Sequence, residues 1–414
     1  MRPRRLALAG LALVLASCRR SSAPSPSIHA DGVAVPQHDA STPSVPLLSP
    51  PAGPLLGAAI RAQCAVERNV LRRWGVHITK QTGKDPITVT FPEDVTRLAC
   101  GNAHVCVVSG GDVSCFGEGS FGELGISCAA RRDACSDMPP VRVPGLPKMI
   151  DVAVAVGTSC AVSEAGEVYC WGREARLLTT DADAQAFPSP ETPFRVPSLA
   201  DIRRIVLTDY FACALDAHGN VWCWGRNEYG ELGRGTISKH SGQPERVSSL
   251  HGVTAITAND SGACALVSDN VYCWGAGALG DHVETLCKDY LKNDWPCTPS
   301  PHRMALPTAA PIVALSPSCA IDAQGATYCW GTGRRARPSD RDAGLCGSDC
   351  VRPPRKLLGV PPFLEIADSG LHVCGLTMGH ELVCWGDDVA SLHVTPTEKP
   401  TCVECEGPLA RIRL

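Results

Sequence analysis

Several features that mark other protein classes are scarce in this 414-residue chain. Aromatic residues make up only 5% of it, and its net charge of −4 leaves no basic excess of the kind that nucleic-acid recognition needs. No Gly-x-Ser-x-Gly, phosphate-binding loop or His-Glu-x-x-His pattern occurs. Beyond the N-terminal segment, no stretch shows sustained helical periodicity. These absences argue against nucleic-acid binding, against several common enzyme classes and against a helical fold.

Cysteine, by contrast, is abundant, with 23 residues, and most of these residues recur in one pattern. Six times a cysteine is followed nine or ten positions later by a second cysteine, which an aromatic residue and glycine follow directly. A seventh, degenerate copy has Cys64 upstream of Trp74 and Gly75, with Arg73 in place of the second cysteine. The aromatic residues of the seven copies are Trp74, Phe116, Trp171, Trp224, Trp274, Trp330 and Trp385. Self-similarity at a period of about fifty residues is typical of a solenoid, a propeller or an array.

The pattern inside each copy favours a propeller. Between Cys160 and Gly172, an apolar run, a polar turn and an alternating run that ends in Cys-Trp-Gly predict a β-hairpin. Another strand precedes each hairpin, as at residues 202–207, and a short strand such as 141–143 follows the loop after Trp-Gly. Four short strands in about fifty residues make one propeller blade.

These hairpins, together with a Gly-x-Leu-Gly loop after Trp-Gly, resemble the regulator-of-chromosome-condensation (RCC) repeat family. The loop stands at residues 122–125 and 230–233, and a remnant stands at 278–280. The resemblance covers residues 56–414 and implies an all-β, seven-bladed β-propeller built from repeats of about fifty residues. The strand at residues 410–414 is expected to pair into the first blade and close the ring, which would remove free sheet edges.

The N-terminus predicts export and a lipid anchor. Residues 1–18 combine a basic start with a short apolar run and end in Leu-Ala-Ser-Cys, which resembles a bacterial lipobox with Cys18 as the lipidated first mature residue. Residues 19–55, rich in proline and serine, predict a disordered linker. The propeller, residues 56–414, is therefore expected to be tethered to the bacterial cell envelope, facing the periplasm or the cell exterior.

In an exported chain, so many cysteines indicate a disulfide framework. Residues that face each other across a hairpin are close enough for a disulfide. The six hairpin pairs are Cys106–Cys115, Cys160–Cys170, Cys213–Cys223, Cys264–Cys273, Cys319–Cys329 and Cys374–Cys384. The four local pairs are Cys128–Cys135, Cys287–Cys297, Cys346–Cys350 and Cys402–Cys405. Cys64 and Cys100 are left to pair between neighbouring blades, and assigning Cys18 to lipid leaves an even number of cysteines.

The four local pairs fall in loops that follow Trp-Gly, and equivalent loops of successive blades share one face of a propeller. Bridged polar loops on a rigid scaffold are a common place for binding sites, although they could equally be neutral insertions kept compact by a bridge. His104 and His372 each stand two residues before the first cysteine of their copy, which predicts structural hydrogen bonds within the blade.

The sequence favours a non-enzyme: an exported, monomeric scaffold that binds an envelope or extracellular protein or glycan. It predicts no cofactor, no metal, no nucleic acid and membrane contact only through the lipid. Within the resembled family, chromosome-condensation regulators exchange nucleotide on a small GTPase, and a secreted bacterial relative inhibits β-lactamases by docking. One alternative is a polysaccharide-active hydrolase with carboxylates at the central channel. A further alternative is a thiol redox sensor at Cys402 and Cys405.

Overall fold

A computed structural model of the protein describes residues 55–59, 62–75, 86–127, 138–173, 175, 190–276, 285–288, 294–332, 351–369, 372–386 and 410–413. Within these ranges, no helix is long and apolar enough to cross a membrane. The predicted signal peptide, with Cys18, lies outside the described residues, and so does the predicted linker apart from its last residue, Leu55.

Seven antiparallel sheets, each a meander of consecutive strands, correspond to the seven sequence repeats and form the blades of a propeller. Blade 1 contains β1 Leu55–Ala59, β2 Ala62–Glu67, β3 Val70–Gly75 and β4 Ile87–Thr90. Blade 2 contains β5 Val95–Cys100, β6 His104–Ser109, β7 Asp112–Gly117 and β8 Met138–Arg142. Blade 3 contains β9 Met149–Ala155, β10 Thr158–Ser163, β11 Val168–Trp171 and β12 Phe194–Arg195. Blade 4 contains β13 Ile202–Leu207, β14 Phe211–Asp216, β15 Val221–Asn227 and β16 Ser238–Arg246.

The last three blades follow the same order, with one addition. Blade 5 contains β17 Val253–Asn259, β18 Gly262–Val267, β19 Asn270–Ala276, β20 Thr285–Lys288 and β21 Asp294–Arg303, with β20 as an extra strand at the outer edge. Blade 6 contains β22 Ile312–Leu315, β23 Cys319–Asp322, β24 Thr327–Thr332 and β25 Val351–Lys356. Blade 7 contains β26 Phe363–Asp368, β27 His372–Thr377, β28 Glu381–Gly386 and β29 Ala410–Arg413. The all-β, seven-bladed fold predicted from the repeat is confirmed.

The hydrophobic core is divided among the seven interfaces between adjacent blades. In each interface, the aromatic residue of one repeat is buried against the preceding blade. Trp224 of blade 4, for example, packs with Val162 and Val168 of blade 3. These aromatic residues therefore pack between blades, so they are structural and do not form an aromatic ligand site.

The Gly-Glu-Leu-Gly loops complete two of these interfaces. The backbone carbonyl of Glu123 accepts a hydrogen bond from Trp171 Nε1, and that of Glu231 accepts one from Trp274 Nε1, each at 2.8 Å. Gly233, at φ +68°, has the Trp274 ring so close that a Cβ would stand 2.9 Å from Nε1. A glycine is therefore required where the loop approaches the tryptophan of the next blade.

Disulfides connect the second and third strands of six blades at all six predicted hairpin pairs, with Cα–Cα distances of 4.1–4.2 Å. Cys287–Cys297 joins β20 to β21. The other three local pairs, Cys128–Cys135, Cys346–Cys350 and Cys402–Cys405, lie outside the described residues.

Blade 1 departs from the hairpin pattern because Arg73 stands opposite Cys64, where the other blades have a cysteine. Cys64 instead forms a disulfide with Cys100 of blade 2. The buried Arg73 side chain donates to the carbonyls of Gly101 and Asn102 at 3.2 and 3.0 Å. Burial lowers the pKa of Arg73 to about 9. With arginine at this position, blade 1 has a covalent link and a buried cation to blade 2 in place of a disulfide within the blade.

The predicted closure of the ring was wrong. The C-terminal strand β29 pairs with β28 of its own blade 7, with Ile412 opposite Leu382. Blade 1 is completed by its own β1, in which Gly57 lies opposite Cys64. Residues 55–59 already occupy the innermost position of blade 1, so the C-terminal strand takes the outermost position of blade 7. Blades 7 and 1 share no strand, and they meet in a core that includes Leu56, Trp74 and Ile412.

Candidate functional site

The meander order gives the propeller two unlike faces. The connections from first to second strand and from third to fourth strand emerge on one face, called here the loop face. The hairpin turns between second and third strands, and the connections to the next blade, emerge on the opposite turn face. The longest connections, such as 118–137 and 387–409, all leave third strands and therefore start from the loop face. All four local cysteine pairs lie in, or directly border, segments of this kind, including the described Cys287–Cys297.

On the loop face, blade 4 presents an ordered aromatic surface. Tyr210 is 42% exposed, and the guanidinium of Arg226 lies over its ring at 3.6 Å. Arg226 is held by Glu231, with Nε–Oε1 at 2.8 Å, and donates to the carbonyl of Asp260 in blade 5 at 2.8 Å. Because both partners of the stacked pair are fixed, Tyr210 has little rotamer freedom to lose when another molecule covers it.

Around the loop-face mouth of the central channel, aspartates bind the backbone of neighbouring blades. Asp209 Oδ1 accepts from the Val156 N–H at 2.8 Å, and Asp260 Oδ1 accepts from the Asp209 N–H at 3.2 Å. Burial, with the nearby Asp260 charge, raises the pKa of Asp209. Among the described residues, no three His, Cys, Asp or Glu side chains are grouped so as to hold a metal ion. These carboxylates therefore act as links between blades.

At the turn-face end, the channel opens into a cavity of about 470 Å³. Its wall includes one equivalent position from the first strand of every blade. In order around the ring these positions are Leu55, Arg97, Asp151, Arg204, Ala255, Ala314 and Glu365. Blades 2–4 thus form a charged arc, and the remaining wall is apolar except for one glutamate.

The charged side chains of this arc interact with one another and with the backbone of blade 4. Arg97 Nε lies 3.4 Å from Asp151 Oδ1, and Asp151 Oδ2 accepts from the Ile205 N–H at 2.9 Å. Burial raises the pKa of Asp151, while Arg204, the Ile205 hydrogen bond and Arg97 oppose that rise. Asp151 therefore serves as the shared partner of two arginines.

Among the described residues, no cation is paired with Glu365 in this way. Its carboxylate accepts from the Leu56 N–H, but Oε2 is shielded from solvent and has no hydrogen-bond partner in the described part of the chain. Burial raises the pKa of Glu365 to about 8, so the group carries a proton at neutral pH. A carboxylate oxygen that is buried without a hydrogen-bond partner is unusual in a structural position, because such burial costs free energy.

The described channel residues do not form the carboxylate pair of a glycosidase. Asp151 is engaged by Arg97 and by the backbone of blade 4, and blades 1 and 2 separate it around the ring from Glu365. A second arrangement resembles a nucleophile and its base, with Ser159 Oγ 2.8 Å from His104 Nε2. Both residues are buried, at 0% and 1% exposure, and no carboxylate orients the other ring nitrogen. Burial, with the nearby Arg73 charge, lowers the pKa of His104 to about 3, so the pair is structural.

The two histidines singled out by the repeat differ in their partners. His372 Nδ1 lies 3.1 Å from Ser369 Oγ in its own blade, as the sequence predicted. His104 instead contacts Ser159 of the next blade, which the sequence did not predict. Cys402 and Cys405, the alternative redox pair, lie outside the described residues.

Sequence reasoning missed Glu365 and the charged arc. A signal was available, because the third residue of the opening strand is the same structural position in blades 2 to 7, and only some of these copies carry a charge there. A charged residue inside Phe-Leu-Glu-Ile-Ala has to face either a partner or a cavity.

We expect Glu365 to make folding stability depend on pH. Its pKa is about 8 when folded and ordinarily 4.5, so the folded state binds the proton more tightly between these values. The free energy of unfolding should therefore fall as the pH rises from 4.5 to 8, by up to ~5 kcal/mol. Urea unfolding of the wild type and of Glu365→Gln at pH 5, 6.5 and 8.5 measures this contribution as the difference between their slopes.

Glu164→Gln, on an exposed turn, is the matched control and should keep the wild-type slope. His104, whose pKa is lowered from 6.5 to about 3, and Glu123, whose pKa burial raises to about 7, also make stability depend on pH in this range, but both are present in all three proteins. Parallel pH profiles for the wild type and Glu365→Gln would contradict the burial of an unpaired acid.

The fold and the channel define a class: a closed, disulfide-linked seven-bladed propeller whose described residues contain no catalytic constellation. Residues 202–231 and 218–266 match two models of the regulator of chromosome condensation (RCC1) repeat. The chain therefore contains RCC1 repeats.

Curated relatives match about half of the chain. The human E3 ubiquitin-protein ligase HERC2 is 28% identical over 198 residues, which are 46% of this chain and 4% of that protein. The mitochondrial RCC1 domain-containing protein RUG3 of Arabidopsis thaliana is 31% identical over 202 residues, 46% of this chain and 44% of that protein. The Saccharomyces cerevisiae guanine nucleotide exchange factor SRM1 is 23% identical over 259 residues, 53% of this chain and 52% of that protein. The matches thus span about half or less of each of these relatives.

Solved structures show the same fold. Prp20p of Saccharomyces cerevisiae, a protein that binds Gsp1p and histones, has the same fold. It superposes with a TM-score of 0.61 at 21% identity, over 82% of this chain and 83% of that chain. Yeast RCC1 (Prp20) bound by Kap60 gives a TM-score of 0.64 at 20% identity, over 97% of this chain and 91% of that chain.

Proposed function

We propose that this chain is a non-catalytic docking scaffold, exported and anchored by lipid at Cys18, whose loop face binds a protein of the cell envelope or its surroundings. The observation that carries the proposal is the difference between the two faces of the propeller. The longest connections all start from the loop face, and buried disulfides cross-link strands of the blades that support them. Long connections on a rigid scaffold are the common site of recognition.

The chemistry of the cysteines supports the proposed compartment. Disulfides form and persist outside the reducing cytosol, and the described part of this chain contains eight of them. This agrees with the signal peptide and lipobox that residues 1–18 resemble. The relatives' names and descriptions, an exchange factor and a protein that binds Gsp1p and histones, are precedents for propellers that act by binding other proteins.

Exposed apolar side chains on the two faces allow a matched test. Val156 and Ile237, 42% and 47% exposed, lie in loop-face connections. Leu358 and Met378, 50% and 76% exposed, lie in turn-face connections. A glutamate at an exposed position leaves the blade cores intact, but it places an unpaired charge in any interface that covers it.

The experiment is affinity capture with chemical cross-linking from envelope extract, using the full chain as bait. The protein cross-linked to the wild type should be recovered equally by the Leu358→Glu, Met378→Glu double variant. Its recovery should fall at least tenfold with Val156→Glu, Ile237→Glu. The reverse pattern would move the binding surface to the turn face. Loss of capture after glycosidase treatment of the extract would identify a glycan in place of a protein.

A further inference from the structure

The packing of the blades does not explain why Glu365, in the turn-face cavity, has a buried oxygen without a hydrogen-bond partner. We propose that the turn-face cavity binds a small organic cation, a primary ammonium on an apolar chain, with the ammonium against Glu365 and the chain along Leu364 and Val313. This site lies at the opposite end of the channel from the loop face. Neither its presence nor its absence decides the docking function proposed above.

The first support is the unused hydrogen-bonding capacity of Glu365. One hydrogen bond, from the Leu56 N–H, reaches the carboxylate, and the buried Oε2 receives none within the described residues. Buried polar atoms in proteins nearly always have a partner, and a carboxylate binds charged donors most strongly. An ammonium offers three such donors at one point.

The second support is that the described residues supply no cation to Glu365. The neighbouring first strands, β1 and β22, contain no titratable residue. On β27 the only titratable residue is His372, at the opposite end of the strand from Leu376, which faces Glu365. Across the cavity, the described charges are Arg97, Asp151 and Arg204, and the two arginines flank Asp151.

The third support is the apolar wall beside the acid. Val313 is 47% exposed and Leu364 is 40% exposed, and both line the cavity. Large aliphatic side chains gain free energy when an apolar ligand covers them. A site with an apolar wall and one convergent polar group is the usual composition of a small-molecule pocket. Together the two parts match a cation that carries a hydrocarbon chain.

An anion fits the same cavity less well. Arg97 is already engaged by Asp151 and donates to the Thr96 carbonyl at 2.6 Å. Arg204 donates to the Arg203 carbonyl at 3.2 Å. A carboxylate ligand would have to compete with Asp151 for these groups, whereas an ammonium finds Glu365 Oε2 unoccupied.

Binding of an ammonium should be linked to proton release. Glu365 is protonated in the free protein at pH 7, because its pKa is about 8, and it has to ionise to pair with a cation. Close to one proton should therefore leave per ammonium bound at pH 7, and far fewer at pH 9. A ligand that binds elsewhere on the surface would release none.

The test is isothermal titration of the full chain with three isosteric probes: pentylammonium, pentan-1-ol and pentanoate. Pentylammonium should bind at least tenfold more tightly than the other two. Titration in two buffers of different ionisation enthalpy should give the proton release described above. Glu365→Gln should weaken pentylammonium at least tenfold and abolish the release, while Glu164→Gln should change neither.

Three results would overturn the proposal: no pentylammonium binding, equal affinity for the three probes, or binding unaffected by Glu365→Gln. Tighter binding of pentanoate would assign the cavity to anions through Arg97 and Arg204. Near-ultraviolet circular dichroism of each variant separates loss of the site from loss of the fold. A peptide with one lysine, titrated in parallel, distinguishes a free amine from a side chain that a protein inserts.

Discussion

Reduction of the disulfides should unfold the propeller at urea concentrations in which the oxidised protein stays folded. Each of the six hairpin bridges closes a loop of nine or ten residues, and Cys64–Cys100 spans 36. In the loop-entropy model, a hairpin bridge contributes about 3 kcal/mol and the longer bridge about 4 kcal/mol. Their combined effect exceeds the 5–15 kcal/mol by which domains are typically stable, to order of magnitude.

Burial determines how the experiment has to be done. The cysteines of these hairpins are at most 2% exposed, so reductant should reach them only after the blades open. Tryptophan fluorescence during urea titration, with and without a phosphine reductant at equilibrium, should show a large fall in the midpoint. Coincident curves, with all thiols shown to be free by alkylation, would mean that packing alone holds the ring. The requirement for an oxidising compartment would then disappear.

Two double variants separate the stability that a bridge within a blade contributes from the stability that the bridge between blades contributes. Cys106→Ala with Cys115→Ala removes a bridge inside one hairpin, whose strands remain paired by backbone hydrogen bonds. Cys64→Ala with Cys100→Ala removes the described bridge between blades and leaves the hydrogen bonds of the buried Arg73 in place. The second pair should cost more stability than the first, because it closes the longer loop.

The repeat determined what could be predicted from the sequence. A cysteine pair at hairpin spacing, followed by an aromatic residue and glycine, is a local pattern, so the hairpins and the burial of residues such as Trp224 follow from it. The identity of the closing strand does not follow. Residues 55–59 and 410–413 are both short and mixed in character, and only the register of the finished sheets decides which one completes blade 1.

The candidate site was harder to predict from the sequence than the fold. Arg97, Asp151 and Glu365 are far apart in the sequence, and each looks like an ordinary charge on a short strand. They share a cavity wall only because the first strands of all blades converge on one axis. Whether such a charge is paired depends on its neighbours around the ring, Asp151 between two arginines and Glu365 between Ala314 and Leu55.

The second large effect should come from Trp74, which closes the ring. Trp74 of blade 1 is 5% exposed and packs with Leu382 and Ile412 of blade 7. No described strand is shared across this seam, because β29 belongs to blade 7. Trp74→Ala should cost about 3–5 kcal/mol by leaving a cavity, as for other large aromatic residues. Thermal unfolding of the full chain measures that loss as a fall in the melting temperature.

Trp224→Ala is the matched control, since Trp224 is equally buried between blades 3 and 4, which the chain joins directly through residues 196–201. Both variants should melt earlier, but they should differ in where amide exchange increases. In Trp74→Ala the increase should concentrate in β1, β28 and β29, because the seam lacks a chain connection and can open locally. Blades 1 and 2 should stay protected together by Cys64–Cys100. The same exchange pattern in both variants would show that the seam is no weaker than the other interfaces, and that non-covalent contacts close a propeller as firmly as a continuous chain.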